Sequence, residues 1–148
     1  MAKNVIKGLD KVLKDLKAFG EEGKKEIAFV TESVADEISA DAKKLAPVNK
    51  NPKITGGSLR QGIFPYKVSD MTYRVQAREK YSAYMEFGTG GKVNVPTELK
   101  ELAIQFKGKG VKQINLQPQP FLYPAFVKGR ETYLKDLENL LEDLNKKV

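Results

Sequence analysis

The segment Phe87-Gly88-Thr89-Gly90-Gly91-Lys92 has the residue types of a ligand loop. A phosphate-binding loop needs glycine five residues before its Gly-Lys pair and Ser or Thr after the lysine. Glu86 and Val93 occupy those positions. The dinucleotide pattern fails as well, because Val93 stands where its third glycine belongs. The segment reads as a glycine-flexible turn leading into an extended loop. Glu86 is a single carboxylate among Tyr84, Met85 and Phe87. A glycosidase needs a second carboxylate at a defined separation, and the nearest, Glu79, lies in a charged, solvated Arg-Glu-Lys turn. Glu86 therefore reads as structural, an anion at an aromatic-lined edge, with Arg60 as its partner on charge complementarity. A carboxylate enzyme at Glu86 is a rival reading that predicts a cleft, a second acid and loss of turnover in Glu86→Gln.

Composition narrows the chemistry further. The chain has no Cys and no His, which removes disulfides, thiolate catalysis, the commonest metal ligand and the commonest general base. No catalytic residue, metal ligand or cofactor site is assigned. Net charge is +7, and the surplus gathers where Lys92, Lys100, Lys107, Lys109 and Lys112 face only Glu98 and Glu101. Two readings stand: a solvated lysine-rich surface, or a patch that meets DNA or an acidic partner through Lys92, Lys107, Lys109 and Lys112. A basic nucleic-acid-binding module is thus the alternative function, although no recognition helix or stacking motif accompanies it.

The elements that must position these residues follow from periodicity. Ile6, Leu9, Leu13 and Leu16 mark a short amphipathic helix punctuated by Gly20. A longer helix runs from Glu21 through Ile27, Val30, Val34 and Ile38 to Leu45, with acids at its start and lysines at its end. It either projects as an arm or packs across a sheet. Residues 47–57 are a loop, and Ser58–Gln61 make one helical turn. Ile63–Val68 and Tyr73–Ala77 read as strands around a Ser69-Asp70-Met71 turn, with Tyr73, Val75 and Ala77 inward and Arg74, Gln76 and Arg78 wet. Tyr81–Phe87 fits a helix or a strand. Residues 88–118 form a long loop with a helical turn near Glu98–Phe106 and a weak strand over Val111–Leu116. The stretch Gln117–Phe126 alternates prolines with aromatics, and Pro124 suits a helix's first turn. Phe121, Leu122, Tyr123 and Phe126 anchor that helix to the core or to a neighbouring subunit. Tyr133, Leu137, Leu140, Leu141 and Leu144 complete a C-terminal helix of about twenty residues. The expected fold is α+β and a single domain, with a helical arm over 1–46, a sheet and long loop over 47–118, and a C-terminal helix over 119–148. No stretch has the roughly 20 apolar residues of a membrane span, and the N-terminal segment lacks the apolar core of a signal peptide, so the reading is of a cytoplasmic chain.

Three motifs in order carry a resemblance. They are Ala46-Pro47-Val48 with Thr55-Gly56-Gly57-Ser58-Leu59-Arg60-Gln61-Gly62-Ile63; Tyr81-Ser82-Ala83-Tyr84-Met85-Glu86-Phe87-Gly88-Thr89-Gly90; and Gln117-Pro118-Gln119-Pro120-Phe121-Leu122-Tyr123-Pro124-Ala125. The chain resembles the head–tail joining proteins of siphophages, the neck, minor-tail or tail-completion group. Asn49–Ile54 departs from that pattern as an insertion, which a surface loop tolerates. The resemblance implies a small sheet packed by a long N-terminal and a C-terminal helix. It implies a virion structural protein, assembled in the host cytoplasm as a ring of six copies, with twelve as the alternative. Its partners would be head-completion, tail-terminator and tail-tube subunits, with non-specific contact to genome DNA in the lumen. Arg60, Tyr84, Glu86, Phe87, Gly88, Pro120, Phe121 and Pro124 would then be structural or interface anchors. The 88–118 loop would order on assembly, lying across a neighbour.

Overall fold

The computed structural model describes residues 9–17, 20–48, 57–90, 93–104 and 116–146. Helix α1 (Leu9–Lys17) is followed by α2 (Gly20–Leu45), whose 26 residues span about 39 Å at 1.5 Å per residue. Glu21 and Glu22 in its first turn and Lys43 and Lys44 in its last oppose the helix dipole favourably. A one-turn α3 (Ser58–Gln61) leads into β1 (Ile63–Ser69) and β2 (Thr72–Ala77), an antiparallel hairpin. Helix α4 (Ser82–Phe87) resolves the helix-or-strand question at Tyr81–Phe87 in favour of helix. A 3-10 turn at Thr97–Leu99 runs into α5 (Lys100–Ile104), close to the turn expected near Glu98. Helix α6 (Leu122–Lys146) begins before Pro124 and has 25 residues, longer than the twenty expected from its leucines. The expected strand over Val111–Leu116 falls outside the described residues except for Leu116, as does Ile6 of the first amphipathic pattern.

Helix α2 packs; it does not project. Its buried stripe of Ile27, Val34, Ile38 and Ala42 meets Ala125, Tyr133, Leu137 and Leu144 of α6, with Leu59, Ile63 and Phe121 closing one end. The pairings Asp41–Lys128, Ile38–Gly129 and Thr31–Tyr133 run in opposite directions along the two helices, so they are antiparallel. The crossing is close because Gly129 has no side chain: a Cβ there would stand 2.1 Å from Ile38 Cγ1. Thr31 Oγ1 and Tyr133 Oη share a hydrogen bond of 2.9 Å across the same seam. Leu9, Val12 and Leu13 of α1 pack against this core.

In the hairpin register Ile63 faces Ala77, Pro65 faces Val75 and Lys67 faces Tyr73, while Phe64 faces Gln76 and Tyr66 faces Arg74. Opposed residues share a face. The first set contains the fully buried Ile63 and turns toward α2; the second turns away from the core. The fold is therefore α+β, a two-stranded antiparallel sheet packed on α2, with α6 packed against α2 in turn.

Candidate functional site: a junction of three motifs

Helix α6 starts without a capping side chain of its own. Phe121 precedes its first residue, where Ser, Thr, Asp or Asn would ordinarily accept from the exposed N–H groups. The cap comes from α4. Glu86 Oε2 accepts the N–H of Phe121 at 2.9 Å and of Leu122 at 3.0 Å, and Oε1 accepts that of Tyr123 at 2.8 Å. The fourth position is Pro124, which has no N–H. All the free donors of the helix start are thereby accounted for. Glu86 is buried, with 7% of its surface exposed, and its negative charge faces the positive end of the helix dipole.

Arg60 is not the partner of Glu86, contrary to the expectation from charge. Its Nη2 donates to the Ala46 carbonyl at 3.3 Å, just beyond the C-terminal end of α2, where a cation is favoured. Three main-chain N–H groups have taken the role assigned to the guanidinium. Tyr81 Oη and Ser58 Oγ share a bond of 2.8 Å, which ties the start of α4 to α3. Ser82 Oγ bonds the Glu79 and Ala77 carbonyls and fastens α4 to the end of β2.

Gly88 ends α4 with φ 75° and ψ −178°, a combination that side-chain-bearing residues rarely adopt. This turn sends the chain alongside the proline-rich approach to α6. Gln119 N–H donates to the Met85 carbonyl at 2.7 Å, and Thr89 exchanges bonds with Leu116, N–H to carbonyl at 3.0 Å and Oγ1 from N–H at 2.9 Å. Asn94 N–H returns to the Phe87 carbonyl at 2.8 Å. The three motifs, far apart in sequence, thus form one hydrogen-bonded junction. Glu86, Phe87, Gly88 and Phe121 are its buried parts; Arg60, Tyr84, Pro120 and Pro124 lie on its exposed side. Lys92, Lys107, Lys109 and Lys112 lie outside the described residues.

A groove of about 840 Å³ opens beside the junction, walled mainly by Val34, Ile38, Val75, Leu102, Phe126 and Tyr133. At its rim Tyr123 Oη donates to Glu98 Oε2 at 3.3 Å, and Arg130 Nη1 stands 3.5 Å from the same oxygen. Burial, and then the Glu98 charge, push the Tyr123 phenol above its ordinary pKa. The groove's one buried carboxylate, Glu86, has both oxygens engaged by main-chain N–H groups. Among the described residues no group of three or more acidic side chains could hold a metal ion, and no helix is long and apolar enough to cross a membrane. The arrangement suits binding through shape and apolar contact.

Sequence spacing does not reveal Gly129, the Arg130–Glu98–Tyr123 rim or the main-chain partners of Glu86. The one usable signal is the absence of a capping residue ahead of α6. Residues 10–88 match the family model described as "Bacteriophage HK97-gp10, putative tail-component". The match runs from α1 through Glu86 to Gly88 and stops short of α6. No curated protein and no solved structure matches the chain.

Proposed function

Because the chain belongs to the HK97-gp10-like family of bacteriophage tail components, we propose that it forms a ring in the phage neck that completes the tail and joins it to the head. The observation that carries this reading is the junction itself. Glu86 locks the segments around α4 and the start of α6 into one unit, and Arg60 and Ser58 attach it to α2 and α3. In this role the buried Glu86, Phe87, Gly88 and Phe121 hold the unit's shape. The exposed Arg60, Tyr84, Pro120 and Pro124 meet neighbouring subunits.

A closed ring needs two different complementary surfaces on each subunit, because head-to-tail contacts repeat around the axis. Large apolar side chains stand exposed on separate elements, Phe29 on α2 and Ile104 at the end of α5, each 68% exposed. Such scattered anchors fit contacts on more than one side. Each stable contact would bury on the order of 1,600 Å² in total. Six copies is the expected stoichiometry, with head-completion, tail-terminator and tail-tube subunits above and below. The nucleic-acid alternative gains no support from the family match.

Phage assembly in the absence of this protein tests the proposal. Filled heads and full-length tails should accumulate unjoined, and added purified protein should join them. Infectious, joined particles formed without it would refute the neck role.

A further inference from the structure

The outward face of the hairpin carries a ladder of aromatic rings and arginines. Phe64 and Tyr66 lie 6.5 Å apart between ring centroids. Arg74 stands 5.6 Å over the Tyr66 ring and donates to its hydroxyl at 2.8 Å; Arg78 stands 4.5 Å over the Phe64 ring. Both arginines are exposed, and neither belongs to an ion pair among the described residues. Stacking fixes the two guanidinium groups in place before any partner arrives, which lowers the ordering entropy lost on binding. Helix α2 packs on the opposite face of the hairpin.

The complementary surface is on the same chain. Between Glu26 and Asp41 helix α2 has five acidic residues and no basic one: Glu26, Glu32, Asp36, Glu37 and Asp41. Glu32 lies toward Lys67 of the hairpin and Glu37 toward Lys128 of α6, while Asp41 is paired with Lys128. Glu26 and Asp36 remain on the solvent face with Phe29 between them, all three exposed. Ten helical residues separate the two acids by about 15 Å. Four extended residues separate Arg74 from Arg78 by about 13 Å. On α2 an exposed aromatic lies between two acids; on the hairpin two arginines at nearly the same spacing stand over two aromatics of the neighbouring strand.

We propose that the outward hairpin face of one subunit docks on the solvent face of α2 in a second copy of this chain, with Arg74 and Arg78 opposite Glu26 and Asp36 and Phe29 against Phe64 and Tyr66. The two surfaces differ, so the contact is head-to-tail and repeats around a ring. The inference rests on the ring reading above and names its contact.

Sedimentation of the purified full chain at low salt tests it. Reversing one side, Arg74→Glu with Arg78→Glu or Glu26→Arg with Asp36→Arg, should weaken self-association roughly tenfold or more, and combining the two should restore it. Because the chain has no native cysteine, Ser33→Cys with Gln76→Cys adds a second readout. Oxidation should give a ladder of covalent oligomers, whereas either cysteine alone stops at dimers. Single-side reversals that associate like the wild type overturn the inference, as does a combined variant that stays weak. A chain that remains monomeric at millimolar concentration also overturns it, and leaves the neck location to be judged separately on particles.

Discussion

The carboxylate of Glu86 accepts the main-chain N–H of Phe121 at 2.9 Å, across 35 residues of sequence, and continues to the next two N–H groups of α6. A helix that lacks its own cap is thereby closed by a side chain from another helix. Glu86→Ala leaves three N–H groups with no partner in a largely buried place. It should cost about 2–4 kcal/mol, since hydrogen bonds to charged groups contribute more than neutral ones and capping losses alone reach about 2 kcal/mol. Glu86→Gln keeps one acceptor oxygen and should cost about half as much. Urea midpoints of the three proteins, at unchanged slope, measure this. An alanine variant within about 0.5 kcal/mol of the wild type would show that water caps the helix equally well.

The long elements were legible from pattern. The apolar steps of α2 and α6, the alternation of β2 and the dipole-matched ends of α2 each follow from local periodicity. For Glu86, charge complementarity points to Arg60, whereas its carboxylate accepts three main-chain N–H groups. Charge complementarity looks for side chains, and every residue has an N–H, so a main-chain partner leaves no compositional trace. The trace it does leave is negative: Phe121 stands where a capping residue belongs. Gly129 was invisible for a different reason. Its requirement comes from Ile38 on an antiparallel helix, and only the packed pair shows it. The wet face of β2 was read from alternation, yet the stacking of Arg74 and Arg78 on Tyr66 and Phe64 depends on strand register.

Gly129→Ala tests the close helix crossing. Helix propensity alone favours alanine by about 1 kcal/mol. The added Cβ, 2.1 Å from Ile38 Cγ1, reverses the sign, and a net loss of about 1–3 kcal/mol is expected from overpacking. Truncating Ile38 to alanine should cost less in the Gly129→Ala background than in the wild type. A double-mutant cycle that gives additive losses would contradict the crossing.

Gly88→Ala should destabilise the junction by about 1–3 kcal/mol, because its φ of 75° with ψ of −178° strains a residue with a Cβ. The loss should appear together with faster hydrogen exchange at the Thr89 and Gln119 amides, whose bonds depend on the turn. Alanine tolerated without either change would mean that the turn relaxes freely.

The Asp41–Lys128 pair, 2.8 Å apart, links α2 to α6 and gives a pH signature. The Lys128 ammonium holds the Asp41 carboxyl below its ordinary 3.8, and Asp41 holds Lys128 above 10.5. A depressed carboxyl stabilises the fold above its unfolded pKa and loses that contribution as pH falls through the folded value. A raised lysine stabilises below its unfolded pKa and loses it as pH rises through the folded value. The wild type should therefore exceed Asp41→Asn in melting temperature by a small, constant margin across neutral pH. The margin should shrink below about pH 4 and with added salt. A margin that grows on acidification would have the wrong sign for this pair.

Gold labelling of this protein on intact phage particles, viewed by negative-stain electron microscopy, tests the neck assignment most directly. Label gathered at the head–tail junction, once per particle, is the predicted result. Label along the tail shaft or at its distal tip, or particles that carry none, would contradict it.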